Sequence, residues 1–149
     1  DFYNWPLADP NMLTCWMALD DATVENGCMH VVPGSHRDPR FSLAGKKKEL
    51  EELAENPDAR TERVIMEEHD ASFGVPMELK SGECMFHHSL NFHSTPKNTT
   101  TGHRRAFVII YMTEGNCFNS SQAWDHVLVP NISAKHGEPI TGSHFPLVG

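Results

Sequence analysis

The sequence has no apolar run long enough to cross a membrane, and it has few basic residues. Among its 149 residues, 12 are Lys or Arg and 20 are Asp or Glu, so the formal net charge is -8. A nucleic-acid-binding domain needs a basic face, so we expect no nucleic-acid partner. A membrane-spanning helix needs about 20 apolar residues, so we expect no membrane segment. The length fits one domain with its own core.

Cysteine is also scarce, and its spacing excludes a common class of metal site. Cys15, Cys28, Cys84 and Cys117 form no C-x-x-C pair, so a structural zinc site is not expected. Each cysteine has apolar neighbours, which predicts reduced, buried thiols in a cytoplasmic protein. The ten histidines give only a weak indication of metal chemistry.

Short alternating segments separated by turn residues predict a mostly β structure. Strands are expected at Met12–Leu19, Cys28–Val32, Val75–Leu79 and Cys84–His88. Asn26-Gly27 predicts a type I′ turn. Many short strands with little helix favour an all-β sandwich or barrel.

Two regions depart from this pattern within a single predicted domain, residues 1–149. Residues 37–70 form a charged insertion with one short surface helix expected at Lys46–Glu55. This insertion is either a lid over a binding site or a solvent-exposed loop with no binding role. Residues 113–149 are rich in Pro and Gly and predict an irregular C-terminal tail that wraps the domain.

The chemistry-bearing residues concentrate in one predicted hairpin. Phe86–Thr95 and Arg104–Tyr111 flank a run of turn residues, 96–102, which favours an antiparallel pair. A turn at Asn98-Thr99 places His93 opposite Arg104 on one sheet face.

This face predicts the kind of ligand that the hairpin holds. Ala106, Val108 and Ile110 continue the face of Arg104, so we expect it to be buried. A buried Arg needs an anionic partner, and His is a common metal ligand. The pair therefore suggests a metal site that also binds a carboxylate-bearing co-substrate. The alternative is that His93 only ends a strand and Arg104 caps a surface turn.

Several motifs together resemble the phytanoyl-CoA dioxygenase family. The resemblance covers about the first two-thirds of the chain and is carried by Ala18–Thr23, Glu25–Met29, Val32–His36, Gly82-Glu83, Phe86–His88, His93-Ser94, Asn98 and Arg104–Ala106. It implies a double-stranded β-helix, the jelly roll of cupin-like proteins. It also implies that Fe(II) and 2-oxoglutarate are cofactors and that the reaction hydroxylates a C–H bond of a small molecule. Two His and one carboxylate leave iron positions open for co-substrate and O₂.

The resemblance also implies individual roles. Asp1 matches the carboxylate ligand of iron, and His93 matches the distal His ligand. Arg104 matches the Arg that pairs with the far carboxylate of 2-oxoglutarate, and the hydroxyl of Thr95 is expected to share that carboxylate. Trp16 matches an aromatic residue near the co-substrate. For Thr95 and Trp16 a purely structural role carries more weight than for the other matches, because Trp16 also suits the core.

Two histidines shortly before His93 are also assigned. His88 matches a position near the site, where it is expected to orient the ligands. His87, on the opposite strand face, is expected to be structural. The first iron-binding His of the family would stand two positions before Asp1, where this sequence has no residue. We therefore expect a fragment that begins inside its metal motif and has little or no activity alone.

His36 and Asp38 form a second H-x-D pattern that offers a different triad with His93. The resemblance places it at a turn after the metal motif, so it is the less favoured choice.

Two other functions compete with the oxygenase. A non-catalytic, cupin-like binding module would follow from loss of the first His. A non-redox metalloenzyme such as an isomerase is disfavoured, because Arg104 would then have no dicarboxylate to bind. Unpaired strand edges also predict possible homo-oligomers, which light scattering would detect.

Overall fold

The computed structural model describes residues 1–37, 74–122 and 126–148. Short strands dominate this part of the chain: β1 (Met12–Ala18), β2 (His30–Val31), β3 (Val75–Pro76), β4 (Cys84–His88), β5 (His93–Ser94) and β6 (Ala106–Met112). Single turns of 3-10 helix lie at Phe2–Asn4, Ser35–Arg37, Ser120–Gln122 and Val129–Asn131. These described residues contain no α-helix, so the sheet-dominated class is confirmed. The helix predicted at Lys46–Glu55, and the insertion beyond Arg37, lie outside the described residues.

The strands form two sheets of three, in the orders β4-β1-β6 and β3-β2-β5. In the second sheet β2 is antiparallel to both neighbours, and Val31 lies opposite Val75 on one side and His93 on the other. In the first sheet the amide of Ala18 donates to Glu83, whereas that of Ser89 donates to Met12. The pairing of β1 with β4 is therefore antiparallel as well. No helix in the described residues has the length and apolar character that a membrane crossing requires.

The predicted hairpin between β5 and β6 is wrong. β5 pairs with β2, and β6 pairs with β1. The intervening loop docks elsewhere, because the amide and the hydroxyl of Thr99 both donate to the carbonyl of Glu25, at 3.1 and 2.8 Å. The loop is thereby held on the turn before β2 and does not close a tight hairpin.

That turn also differs from the predicted type I′ turn, which needs positive φ at both central residues. Of the two central residues, Asn26 and Gly27, only Gly27 has positive φ, at +80°. The amide of Cys28 donates to the carbonyl of Thr23, and the amide of Gly27 donates to that of Val24. This nested pair is the hydrogen-bond pattern of a Schellman turn, in which glycine takes the left-handed position. The side-chain oxygen of Asn26 accepts from the amide of Thr23 at 2.8 Å and closes the loop.

By the density of its contacts the chain divides into two compact units. The first comprises Asp1–Cys15, Phe86–Ser89 and Val108–Gly149, and the second comprises Trp16–Met85 and Leu90–Phe107. The core of the second unit is a cluster of small and sulfur-containing side chains around one indole: Trp16, Ala18, Ala22, Cys28, Met29 and Met85.

The first unit is held together by its amino-terminal segment. Phe2 is completely buried. The amide of Asp9 donates to Asn116 Oδ1 at 3.1 Å, and Asn116 Nδ2 donates to the carbonyl of Asp9 at 3.0 Å. Isolated bridges join Leu7 to Phe118 and Cys117 to Pro139. The bonds made by Leu7 and Asp9 tie the irregular residues after β6 to the start of the chain.

Burial differs from expectation at two places. Val108 is 45% exposed, so the face of β6 predicted to be buried is buried only in part. No disulfide joins the four cysteines. The expectation that they are buried holds for Cys15 and Cys28, whereas Cys84 is exposed and Cys117 half-buried. Cys84 begins an alternating strand, so its side chain lies opposite the buried Met85.

Candidate functional site

Asp1 is held against the end of β4 by its own backbone. Its amino group donates to the carbonyl of Ser89 at 3.0 Å, and the amide of Phe2 donates to the same carbonyl at 3.2 Å. Ser89 is itself 1% exposed. The carboxylate of Asp1 is 29% exposed, so it lies at a fixed position with part of its surface accessible. A carboxylate oxygen in this setting suits a divalent cation.

His93 belongs to the second unit and is half-buried in β5. Its Nδ1 lies 3.0 Å from the carbonyl oxygen of Asn91. Because a carbonyl only accepts, Nδ1 must carry the proton, which leaves the lone pair on Nε2. Burial lowers the pKa of His93, and the hydrogen bond to Asn91 opposes this shift without cancelling it. The neutral imidazole is the form that binds metals.

Arg104 and Trp16 lie together in the second unit. The guanidinium carbon of Arg104 is 5.6 Å from the centroid of the indole ring, within the range of a cation–π contact. Trp16 is 6% exposed and belongs to the core cluster, so it has a structural role whatever else it contacts. Arg104 is half-buried, and no carboxylate of the described residues pairs with it.

The neighbouring arginine is bound very differently. Arg105 donates from Nε and Nη2 to the two carboxylate oxygens of Asp20, at 2.9 and 2.8 Å. Its backbone amide also donates to Asp20. These bonds hold the pKa of Asp20 well below its usual range. Of two adjacent guanidinium groups, that of Arg105 is therefore bound to Asp20, whereas that of Arg104 has no carboxylate partner among the described residues.

The other predicted site residues are placed as follows. Thr95 is exposed directly after β5, and its hydroxyl makes no hydrogen bond to the described residues. His88 is half-buried at the end of β4. His36 is half-buried in a turn of 3-10 helix, whereas Asp38 lies outside the described residues, so the alternative triad stays untested.

One contact was not anticipated from the sequence. Nε2 of His87 lies 3.1 Å from Oδ2 of Asp1, and the His87 side chain is 3% exposed. Strand alternation was the available signal, because Met85 and His87 occupy the buried positions of β4. From the same alternation, His88 was expected near the site and His87 was expected to be structural.

Two of the solved proteins similar to this chain are non-haem, α-ketoglutarate-dependent enzymes, and a third was solved with 2-oxoglutarate. The carbocyclase SnoK from nogalamycin biosynthesis is 28% identical, with a TM-score of 0.71 over 97% of this chain and 52% of its own. The epimerase SnoN of the same pathway is 26% identical in a complex with Fe³⁺, α-ketoglutarate and nogalamycin RO, with a TM-score of 0.68. EvdO2 from Micromonospora carbonacea, complexed with 2-oxoglutarate, is 25% identical with a TM-score of 0.53.

The sequence gives the family itself. The model of the phytanoyl-CoA dioxygenase (PhyH) family matches residues 1–106, and the chain belongs to that family. Phytanoyl-CoA dioxygenase 1 of Oryza sativa subsp. japonica is 28% identical over 123 residues, which are 81% of this chain and 40% of the relative. Phytanoyl-CoA dioxygenase domain-containing protein 1 of Danio rerio shows the same identity and share. The chain thus spans about 40% of the curated relatives it matches.

The resemblance read from the motifs is therefore confirmed. The expected cofactors, iron and 2-oxoglutarate, are confirmed as those of the family and of its solved relatives. The individual residue roles stay predictions.

Proposed function

We propose that this chain forms part of an Fe(II)- and 2-oxoglutarate-dependent dioxygenase that hydroxylates a C–H bond of a small organic molecule, on a jelly-roll scaffold. Membership of the phytanoyl-CoA dioxygenase family supports the class. Solved relatives that contain iron and α-ketoglutarate support the cofactors. The observation that carries the proposal furthest is the state of Arg104.

Arg104 has the properties of a carboxylate clamp. Its guanidinium is half-buried against Trp16, 5.6 Å from the ring centroid. A partly desolvated guanidinium favours an anion, and its planar fork matches a carboxylate in two parallel hydrogen bonds. Arg105, one residue away, already holds Asp20 in this way. We assign the far carboxylate of 2-oxoglutarate to Arg104, and we expect the hydroxyl of Thr95, two residues after His93, to share it.

Asp1 and His93 are the proposed iron ligands within this chain. Their donor atoms, a carboxylate oxygen and a neutral imidazole nitrogen, are those of the facial triad of non-haem iron oxygenases. When bound, ferrous iron with 2-oxoglutarate supplies the activation of O₂. The residues of this chain position the ion and the co-substrate.

A binding experiment tests the role of Arg104 without knowledge of the substrate. The chain carrying His-Gln before Asp1, hereafter the extended chain, supplies the family's H-x-D pattern. 2-Oxoglutarate binding is measured by anaerobic equilibrium dialysis with ferrous iron. Arg104→Gln should weaken binding about 10- to 100-fold, because a hydrogen bond to a charged group contributes about 1.5–3 kcal/mol.

Arg105→Gln is the matched control, since it removes the same group one residue away. It should leave 2-oxoglutarate affinity nearly unchanged, because its guanidinium is already bound to Asp20. Equal losses in the two variants, or no loss in Arg104→Gln, would exclude Arg104 as the clamp.

Hydroxylation itself needs a separate test, because solved relatives with the same cofactors include an epimerase and a carbocyclase. Mass spectrometry of the product distinguishes them. Hydroxylation adds one oxygen atom to the substrate, whereas epimerisation leaves the mass unchanged and ring closure by oxidation removes two hydrogens.

A further inference from the structure

His87 and Asp1 form a close pair inside the first unit. Nε2 of His87 lies 3.1 Å from Oδ2 of Asp1. The His87 side chain is 3% exposed and the Asp1 side chain 29% exposed. A buried polar group needs a hydrogen-bond partner. This contact gives His87 such a partner and ties the Asp1 carboxylate to β4.

Both members of the pair are attached to the same rigid backbone. His87 occupies an inward position of β4, whose burial alternates along the strand. Asp1 is held by two hydrogen bonds to Ser89, two residues further along. Ser89 is fixed in turn, because its amide donates to Met12 at 3.1 Å and its hydroxyl donates to Pro10 at 2.5 Å. The backbone therefore sets where the Asp1 carboxylate lies, and His87 sets how it is rotated.

We infer that His87 is a positioning residue that donates from Nε2–H to Oδ2 of Asp1 and thereby fixes the orientation in which this carboxylate would meet the iron. The inference rests on the proposed function, in which Asp1 is an iron ligand. Partners that hydrogen-bond a ligating carboxylate fix its orientation and its basicity, and their loss costs about 10- to 100-fold in metal affinity. His87 thus has a role toward the metal without being required as a ligand.

Two amide substitutions test this role with matched chemistry. The amide nitrogen of Gln reaches approximately the position of Nε2, so His87→Gln can still donate to Asp1. The amide of Asn is one carbon shorter, so His87→Asn keeps a polar group but loses the contact. Co²⁺ serves as the probe, because its visible absorption reports both affinity and coordination. The extended chain is the parent protein for both variants.

We expect His87→Asn to bind Co²⁺ about 10- to 100-fold more weakly than the parent, and His87→Gln to recover most of that affinity with the parent spectrum. Thermal unfolding of the metal-free proteins is measured in parallel. A merely structural role predicts that affinity follows metal-free stability, with no selective recovery in His87→Gln.

Three outcomes would overturn the inference. Unchanged Co²⁺ affinity in His87→Asn would show that the contact is irrelevant to the metal. Failure of His87→Gln to recover, with a changed coordination spectrum, would make His87 a direct ligand. Absence of Co²⁺ binding by the parent would instead refute the proposed iron site, and the positioning role with it.

Discussion

Substitution of Gly27 by Ala should destabilise the second unit more than any other exchange of glycine for alanine at a described turn. Gly27 has φ of +80°, and a Cβ there would lie 2.3 Å from the carbonyl oxygen of Pro96. That distance is well below the 3.0 Å at which neighbouring atoms must move. The left-handed backbone costs a non-glycine residue about 1–2 kcal/mol. Forcing backbone apart adds about 1–3 kcal/mol.

The total expected loss is about 2–5 kcal/mol, which lowers the melting temperature by roughly 5–15 °C for a chain of this size. Gly34→Ala is the control, because Gly34 has φ of +77° and no described residue places an atom within 4 Å of its Cβ position. That variant should lose only the backbone contribution, about 1–2 kcal/mol. Urea unfolding of both variants measures the difference. Equal losses in the two variants would show that the close approach of Pro96 adds nothing to the cost of a Cβ at Gly27.

Two further predictions concern charge and thiols. Asp20, whose pKa the Arg105 guanidinium lowers, contributes stability that is present above the ordinary aspartate pKa of about 3.9 and is lost as the pH falls through the lower folded value. The acid unfolding curve of Asp20→Asn should therefore be flatter than that of the parent, and superimposable curves would contradict this. Burial raises the pKa of the Cys28 thiol, so an aromatic disulfide reagent should label the exposed Cys84 first and Cys28 only on unfolding. Peptide mapping that found Cys28 labelled as quickly as Cys84 would disagree.

The sequence located the strands well but not their partners. Strands at 12–19 and 84–88 were expected, and β1 and β4 occupy Met12–Ala18 and Cys84–His88. Alternation of side chains reports which residues form a strand and which share a face. It carries no information on the strand that lies alongside. β5 and β6 are neighbours in sequence, yet they pair with β2 and β1.

The type of the turn at Asn26-Gly27 was predicted wrongly for a related reason. Asn26-Gly27 signals a turn, and a turn is present there. Its type depends on bonds to more distant residues, since Asn26 Nδ2 donates to the carbonyl of Asp21 at 2.7 Å and Glu25 accepts from Thr99. Dipeptide preference gives the position of a chain reversal, whereas tertiary hydrogen bonds decide between its possible geometries.

At the candidate site, too, individual residues could be predicted from the sequence, whereas their contacts could not. Resemblance to the family singled out both Arg104 and Trp16, and the structure gives the cation–π contact between them. Nothing in the sequence predicted that contact, or the different occupation of Arg104 and Arg105. His87 was expected to be structural because it lies on the strand face opposite that of His88. Its partner Asp1 is 86 positions away along the chain, so only folded geometry could join them.

Anaerobic addition of ferrous iron and 2-oxoglutarate to the extended chain, followed by visible absorption, tests the central claim most directly. We expect a metal-to-ligand charge-transfer band in the extended chain, a weaker band or none in the chain that begins at Asp1, and no band in extended His93→Ala. A band of undiminished strength in His93→Ala, or no band in the extended chain itself, would contradict the assignment of Asp1 and His93 as iron ligands.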